Sequence, residues 1–408
     1  MCTIPHVVGR ATLAVALLLS TGAVATAGTG SIERRIASSL NTPGVAARAS
    51  TAMAVELPSG RVVFARNADL SLEPASNEKL CVTYAALVEL GPSYRFPTQV
   101  LGEGRRVGST WQGRLVLKGF GDPSLTSSDL SRLVGILKRQ GIRRVTGGIV
   151  GDASYFDSKR VATGWLQAFA GLESPPLLAL VVDRAGRDGN LVDDPPLAAA
   201  ARFDQLLRAR GVIARGATAG RAGVGAETLA TIYSEPLSEE LEFMDHESDN
   251  FTAEMVLKAI GARAIGDGST AAGAAVTRRD LKLAGVPLEG VRIVDGSGLS
   301  RDDRVTAREL AALLVVIWDD KTLRTIVRDV LPVAGESGTL EHRLDSAPAR
   351  GLVRAKTGTT DIASALSGYV GNRFAFVAIE NGHPVDPWAA RTEQDNFVGV
   401  LADEASVR

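Results

Sequence analysis

Ser76-Asn77-Glu78-Lys79, Ser248-Asp249-Asn250 and Lys356-Thr357-Gly358-Thr359 follow one another along this chain in that order. No other feature of the sequence restricts its fold so tightly. Two hydroxyls, an amide and two ammonium groups this distant act together only if folding draws them around one cleft. The first motif needs only local structure. Helix positions i and i+3 lie about 5–6 Å apart at Cβ, so Lys79 can reach the Ser76 hydroxyl at the start of a helix. A serine hydroxyl is a weak nucleophile and needs a base. Lysine can be that base only if its pKa falls from ~10.4 toward 7–8, a cost of about 4 kcal/mol. Burial and a second nearby cation both push that way.

Lys356, at the end of an expected strand, supplies the second cation. With Thr357 and Thr359 it can hold a substrate carboxylate, while Gly358 permits an extended peptide to lie close along the strand edge. Ser248, between two expected helices, can relay a proton between Lys79 and a leaving amine. Asn250 can hold the Lys79 amine or a substrate carbonyl. The backbone N–H groups of Ser76 and Thr359 are the natural donors to an oxyanion, each worth about 2.7–4 kcal/mol in comparable sites.

Taken singly the motifs have bland explanations: a helix N-cap for Ser76, a capping serine in a helix–helix turn for Ser248, a surface strand end for Lys356. Their order, each at a suitable junction, makes the joint coincidence improbable. Glu78 looks like a general base, but its place in the same turn as Ser76 favours a solvated or structural role. Asp245, His246 and Ser248 suggest a charge triad, yet they fall within four positions and lack a G-x-S-x-G elbow.

The rest of the chain sets the context. Arg10 precedes an apolar run from Ala11 to Leu19 and small residues ending in Ala25-Thr26-Ala27. This is the pattern of a secretory leader cleaved after Ala27. The competing reading, a membrane anchor, needs ~20 apolar residues, more than the run provides. Cys2 leaves with the leader, so Cys81 remains alone and no internal disulfide is possible. The four histidines are scattered, without metal-ligand spacing, and no cofactor is implied. A net charge of −1 supplies no basic field for a nucleic-acid partner.

A helix-like stretch near Ile32–Leu40 precedes strands Thr51–Glu56 and Arg61–Ala65, joined through Pro58-Ser59-Gly60. A helix over Lys79–Leu90 stops at Gly91-Pro92. Between Phe96 and Thr228, β-like runs (Leu115–Lys118, Val145–Gly151) alternate with glycine turns and two helical segments, Leu130–Gln140 and Leu197–Arg210. Longer helices return at Leu237–His246 and Phe251–Ile260. Strands follow at Leu352–Lys356, Ala365–Val370 and Phe374–Ile379. The final residues mix charge with few apolar positions and do not read as an amphipathic anchor. The organisation expected is a leader (1–27), a discontinuous catalytic domain (28–95 and 229–408) and an inserted accessory region (96–228).

The three motifs resemble the S-x-x-K, S-D-N and K-T-G set of class A β-lactamases and penicillin-binding proteins. β-Lactamases place a compact helical region between the first two motifs. The long interval from Ser76 to Ser248 is instead similar to class C low-molecular-mass penicillin-binding proteins, the D-alanyl-D-alanine carboxypeptidase/endopeptidase family. The likeness continues in Leu117–Leu125, Gly151–Asp157, Asp295–Arg301 and Gly338-Thr339-Leu340. It implies an α/β (α+β), β-lactamase/transpeptidase-like three-layer catalytic domain with a long, mostly β insertion. It further implies a serine hydrolase acting on peptidoglycan stem peptides, acylated by β-lactams, exported and without an integral membrane anchor once the leader is removed. It also implies that Asp152 and Arg301 help bind the charged third residue of the stem peptide. Two other readings stay open at this point: a β-lactamase, or a catalytically silent wall-binding or penicillin-sensing protein.

Overall fold

Ser50–Glu56 is buried almost without interruption, as a central strand must be when both faces of its sheet are covered. The computed structural model describes residues 29–187 and 190–407; the expected leader lies outside them. In chain order the elements are α1 (Thr29–Ser39), β1 (Ser50–Glu56), β2 (Arg61–Arg66) and α2 (Lys79–Glu89), followed by β3 (Pro97–Val107), β4 (Thr110–Gly119) and α3 (Ser127–Arg139). Then come β5 (Ile149–Asp152), α4 (Pro195–Ala209), β6 (Ala217–Ala219), β7 (Glu227–Tyr233), α5 (Leu237–His246), α6 (Asn250–Ile265) and α7 (Thr270–Leu283). The chain closes with α8 (Ala307–Asp319), α9 (Lys321–Val330), β8 (Val353–Thr359), β9 (Ala363–Val370), β10 (Phe374–Asn381) and α10 (Pro387–Ser406).

Five antiparallel strands in the order β8-β9-β10-β1-β2 form the central sheet. One face packs on α2, α5, α6 and α8 through residues such as Leu80, Leu241, Val256 and Leu314. The other packs on α1 and α10 through Ile36, Phe397, Val398 and Leu401. The result is three layers, with β8 at a sheet edge. Each fully buried Phe or Leu on these faces contributes about 1.5–3 kcal/mol. The terminal segment, which in sequence mixes charge with few apolar positions, is thus a docked helix, started by Asp386, whose side chain accepts from Trp388 and Ala389 N–H.

The region between β3 and β7 forms a second sheet in the order β7-β3-β4-β5-β6, with α3 and α4 packed against it around Leu133, Val134 and Phe203. Thr126 and Asp129 close a capping box at the start of α3. Val145–Gly151, expected as one run, is broken at Thr146-Gly147-Gly148 before β5. Phe156, Leu177 and Val181 from this region enter the same core as α6, so the two sheets belong to one packed body. No helix among the described residues is long and apolar enough to cross a membrane.

Candidate active site

Two of the three motifs contain or follow a residue forced into left-handed backbone. Ala75 has φ 47° and Ser248 has φ 57°, a conformation costing of order 1–3 kcal/mol for a non-glycine residue. At Ala75 the chain turns sharply into the short 3₁₀ segment Ala75–Glu78 and then α2, bringing Ser76 to the cleft. At Ser248 the chain passes from α5 to α6, whose first turn is capped by the Asp249 carboxylate accepting from Thr252 N–H. Neighbouring backbones then approach closely. A Cβ on Gly358 would lie 3.0 Å from Ser76 N, and one on Gly298 would lie 1.8 Å from the Ala75 carbonyl oxygen. Gly298, with φ 81°, therefore requires glycine, while a side chain at Gly358 would press on the Ser76 backbone.

The convergence is tight. Lys79 Nζ donates to Ser76 Oγ, Asn250 Oδ1 and the Ser297 carbonyl, each at 2.8 Å. Lys356 Nζ donates to Ser248 Oγ and the Thr357 carbonyl, each at 2.9 Å. Ser248, expected to relay a proton between Lys79 and a leaving amine, has Lys356 as its hydrogen-bond partner. Both lysines are fully buried. Burial pushes Lys79 down to about 8. It pushes Lys356 down to about 7, helped by the Lys79 charge. Asp245 lies near both, raised to about 6 by burial although the charges of Lys356 and Lys79 oppose that rise. It accepts from Thr83 Oγ1 at 2.8 Å.

Ser76, Ser248, Asn250, Thr357, Gly358 and Thr359 line one cavity of about 870 Å³, which the exposed Trp388 also lines. Thr357 Oγ1 donates to Thr339 Oγ1 at 2.7 Å, and both residues line the cavity. Ala355 N–H bonds outward to the Pro332 carbonyl. Strand alternation puts the N–H of Thr357 and Thr359 on the same open edge of β8.

Asp152 and Arg301 are not among the residues lining this cavity. Asp152 is fully buried in β5, accepting from Ser154 and Ala222 N–H and lying 3.6 Å from Lys118 Nζ. Although burial would raise its pKa, these hydrogen bonds hold it below the ordinary range. Its oxygens serve the turn that follows β5. Arg301 pairs with Asp361 at 2.5 Å and Glu73 at 3.8 Å, just past the end of β8. Glu78 is not solvated. It is fully buried, burial drives its carboxyl well above the usual range, and neither oxygen has a partner.

The pattern found for the D-Ala-D-Ala carboxypeptidase 3 (S13) family matches residues 32–186 and 186–404. This chain belongs to that family. A D-alanyl-D-alanine carboxypeptidase from Actinomadura sp. is 31% identical, with the alignment covering 84% of this chain and 80% of that protein. A carboxypeptidase from Mycobacterium tuberculosis is 33% identical over 79% of this chain and 74% of its own length. Penicillin binding protein 4 from Haemophilus influenzae shares the fold, with a TM-score of 0.81 at 22% identity over 92% of this chain and 99% of that one.

Several groups around this cleft carry no clear mark of their position in the sequence. The Ser297 carbonyl is backbone, and Asp245 stands beside His246 in sequence but turns toward Thr83 and the lysines. Glu173, from the inserted region, reaches Asn250 Nδ2 at 3.4 Å through both its carbonyl and its carboxylate.

Proposed function

We propose that Ser76 is the acylated nucleophile and Lys79 its general base in the cleavage of peptides ending in D-alanyl-D-alanine. The observation that carries this reading is the hydrogen-bonded convergence of Ser76, Lys79, Asn250, Ser248 and Lys356 on one open cavity, with both ammonium groups fully buried. Membership of the S13 family makes the protein a serine-type D-Ala-D-Ala carboxypeptidase, with cleavage of D-alanyl cross-links open to the same acyl chemistry.

The steps balance as follows. Ser76 Oγ attacks the carbonyl between the two D-alanines as Lys79 Nζ takes its proton. The oxyanion is held by the N–H groups of Ser76 and Thr359. Lys356, Thr357 and Thr359 hold the terminal carboxylate. The C–N bond then breaks, and the proton gathered by Lys79 reaches the departing amine through the Ser248 hydroxyl, which lines the cleft and is oriented by Lys356. Water, deprotonated by Lys79, hydrolyses the ester and frees Ser76. A β-lactam presents the same carbonyl and carboxylate, but its leaving group stays tethered to the acyl chain. Ser76→Ala is expected to abolish covalent labelling by penicillin while preserving the fold. A labelled Ser76→Ala protein, detected by intact mass, would overturn the assignment.

We assign residues 1–27 to a leader removed on export and residues 96–228 to an accessory region, and we place the mature enzyme outside the cytoplasmic membrane on peptidoglycan stem peptides. The mature chain is expected to begin at Gly28. N-terminal sequencing of the protein from its native host checks this, and a retained Met1 contradicts it.

A further inference from the structure

A neutral lysine has two N–H bonds and one lone pair, so the direction of the lone pair is set by what the two N–H bonds hold. Here Lys79 has three partners at 2.8 Å. When Asn250 Oδ1 and the Ser297 carbonyl each accept one N–H, the lone pair is left facing Ser76 Oγ. The aim of the base therefore depends on the orientation of one peptide carbonyl, in the loop Asp295–Ser300.

That loop is gripped from two sides by fully buried carboxyls. Asp295 accepts from Gly298 N–H at 2.7 Å, which belongs to the same peptide unit as the Ser297 carbonyl. It also accepts from Ser297 Oγ, Ser300 N–H and Trp165 Nε1. Glu254 Oε1 accepts from Gly296 N–H at 2.8 Å and Ser297 N–H at 2.9 Å. Glu254 lies one helical turn after Asn250 on α6, so a single helix face carries one partner of Lys79 directly and steers the other. The glycines make the grip possible, since a Cβ on Gly296 would stand 2.8 Å from the Ala253 carbonyl of α6.

We infer that Glu254 is a positioning residue for the base, acting through the Ser297 carbonyl to aim the Lys79 lone pair at Ser76. The inference rests on Lys79 being the base in the reaction proposed above. Glu254 Oε2 has no partner, and burial raises the carboxyl to about 8. Oε1 alone therefore does the holding, and burial favours the uncharged carboxyl. An amide reproduces that.

The test is the rate of Ser76 acylation by benzylpenicillin, measured against pH, with thermal unfolding recorded for each variant. Glu254→Gln keeps an oxygen for both N–H groups and is expected to acylate within about threefold of wild type. Glu254→Ala frees the loop and should be slower by about 10²-fold, the usual consequence of a misplacement near 1 Å. Its acid limb should also move to lower pH, because the ammonium form of Lys79 loses an acceptor. Glu254→Asp withdraws the carboxyl by one methylene and tests the same contact where the alanine variant folds poorly; about tenfold slowing is expected. A merely structural role would lower the unfolding temperature but leave rate and limb unchanged in the folded protein, and that result would overturn the inference. Equal slowing in Glu254→Gln and Glu254→Ala would do the same. If Lys79→Met acylates like wild type, the base assignment itself fails. If Lys79→Met is slow and the folded Glu254 variants are not, only the role of Glu254 fails.

Discussion

Replacing Lys79 with methionine is expected to slow acylation of Ser76 by about 10²–10⁴-fold, the range for loss of a positioned general base, while the protein still folds. Methionine nearly matches the lysine stem in volume, and such swaps in a core cost under about 1.5 kcal/mol in packing. The polar loss is larger, since Asn250 Oδ1 and the Ser297 carbonyl lose a donor. The buried cation and its desolvation disappear together, however, which offsets part of that loss. Rapid mixing with a chromogenic β-lactam measures the effect. A rate within threefold of wild type would exclude Lys79 as the base.

The wild-type pH profile has a definite sign. Lys79 and Lys356, lowered to about 8 and about 7, titrate as a pair rather than as two separate groups. Below about 7 both are ammonium, Lys79 has no lone pair to offer, and acylation is slow. As pH rises the first proton leaves and one cation remains between them. A bound carboxylate favours that cation on Lys356, leaving Lys79 neutral. Acylation is therefore expected to climb with pH from the acid side through neutrality. It should fall again where the second proton leaves and the carboxylate loses its partner.

How much of this was legible in the sequence depended on where each signal resides. Ser76 and Lys79 announce themselves because their contact is local, one turn apart. Lys356 and Ser248 did so through motif order. The helix expected over Lys79–Leu90 matches α2 to within a residue. Helix α10 was missed for a physical reason. Its buried face carries Glu393 and Gln394 beside Phe397 and Leu401, and those polar groups are paid for by Arg66, Ser364 and Glu380, partners far away in sequence. A pattern that counts only apolar positions cannot recognise such a face. Asp152 shows another limit, because a carboxylate that satisfies two backbone N–H groups looks the same in sequence as one that meets a ligand. Glu78, read as solvated or structural, is buried because it packs beneath the 295–300 loop, where a Cβ on Gly298 would stand 3.2 Å from Glu78 Cβ.

Lys356→Met is the second large effect, and it separates binding from chemistry. Truncating one partner of a buried charged hydrogen bond costs about 2–5 kcal/mol. Hydrolysis of a pentapeptide ending in free D-Ala-D-Ala should therefore fall by about 30- to 4,000-fold in kcat/KM. The same peptide with its terminal carboxyl amidated offers Lys356 no charge. It should be a poor substrate for both proteins and should differ between them by much less. The acid limb of acylation should meanwhile move to higher pH in Lys356→Met, because removing a neighbouring cation lets Lys79 hold its proton more strongly. Ser248 would lose its donor as well, so expulsion of the amine should slow even for the amidated peptide. An equal loss on both peptides with an unmoved acid limb would mean that Lys356 serves only the architecture of the cleft. The combination of carboxylate-selective loss and a raised limb can arise only if this cation faces the substrate's end and the base at once.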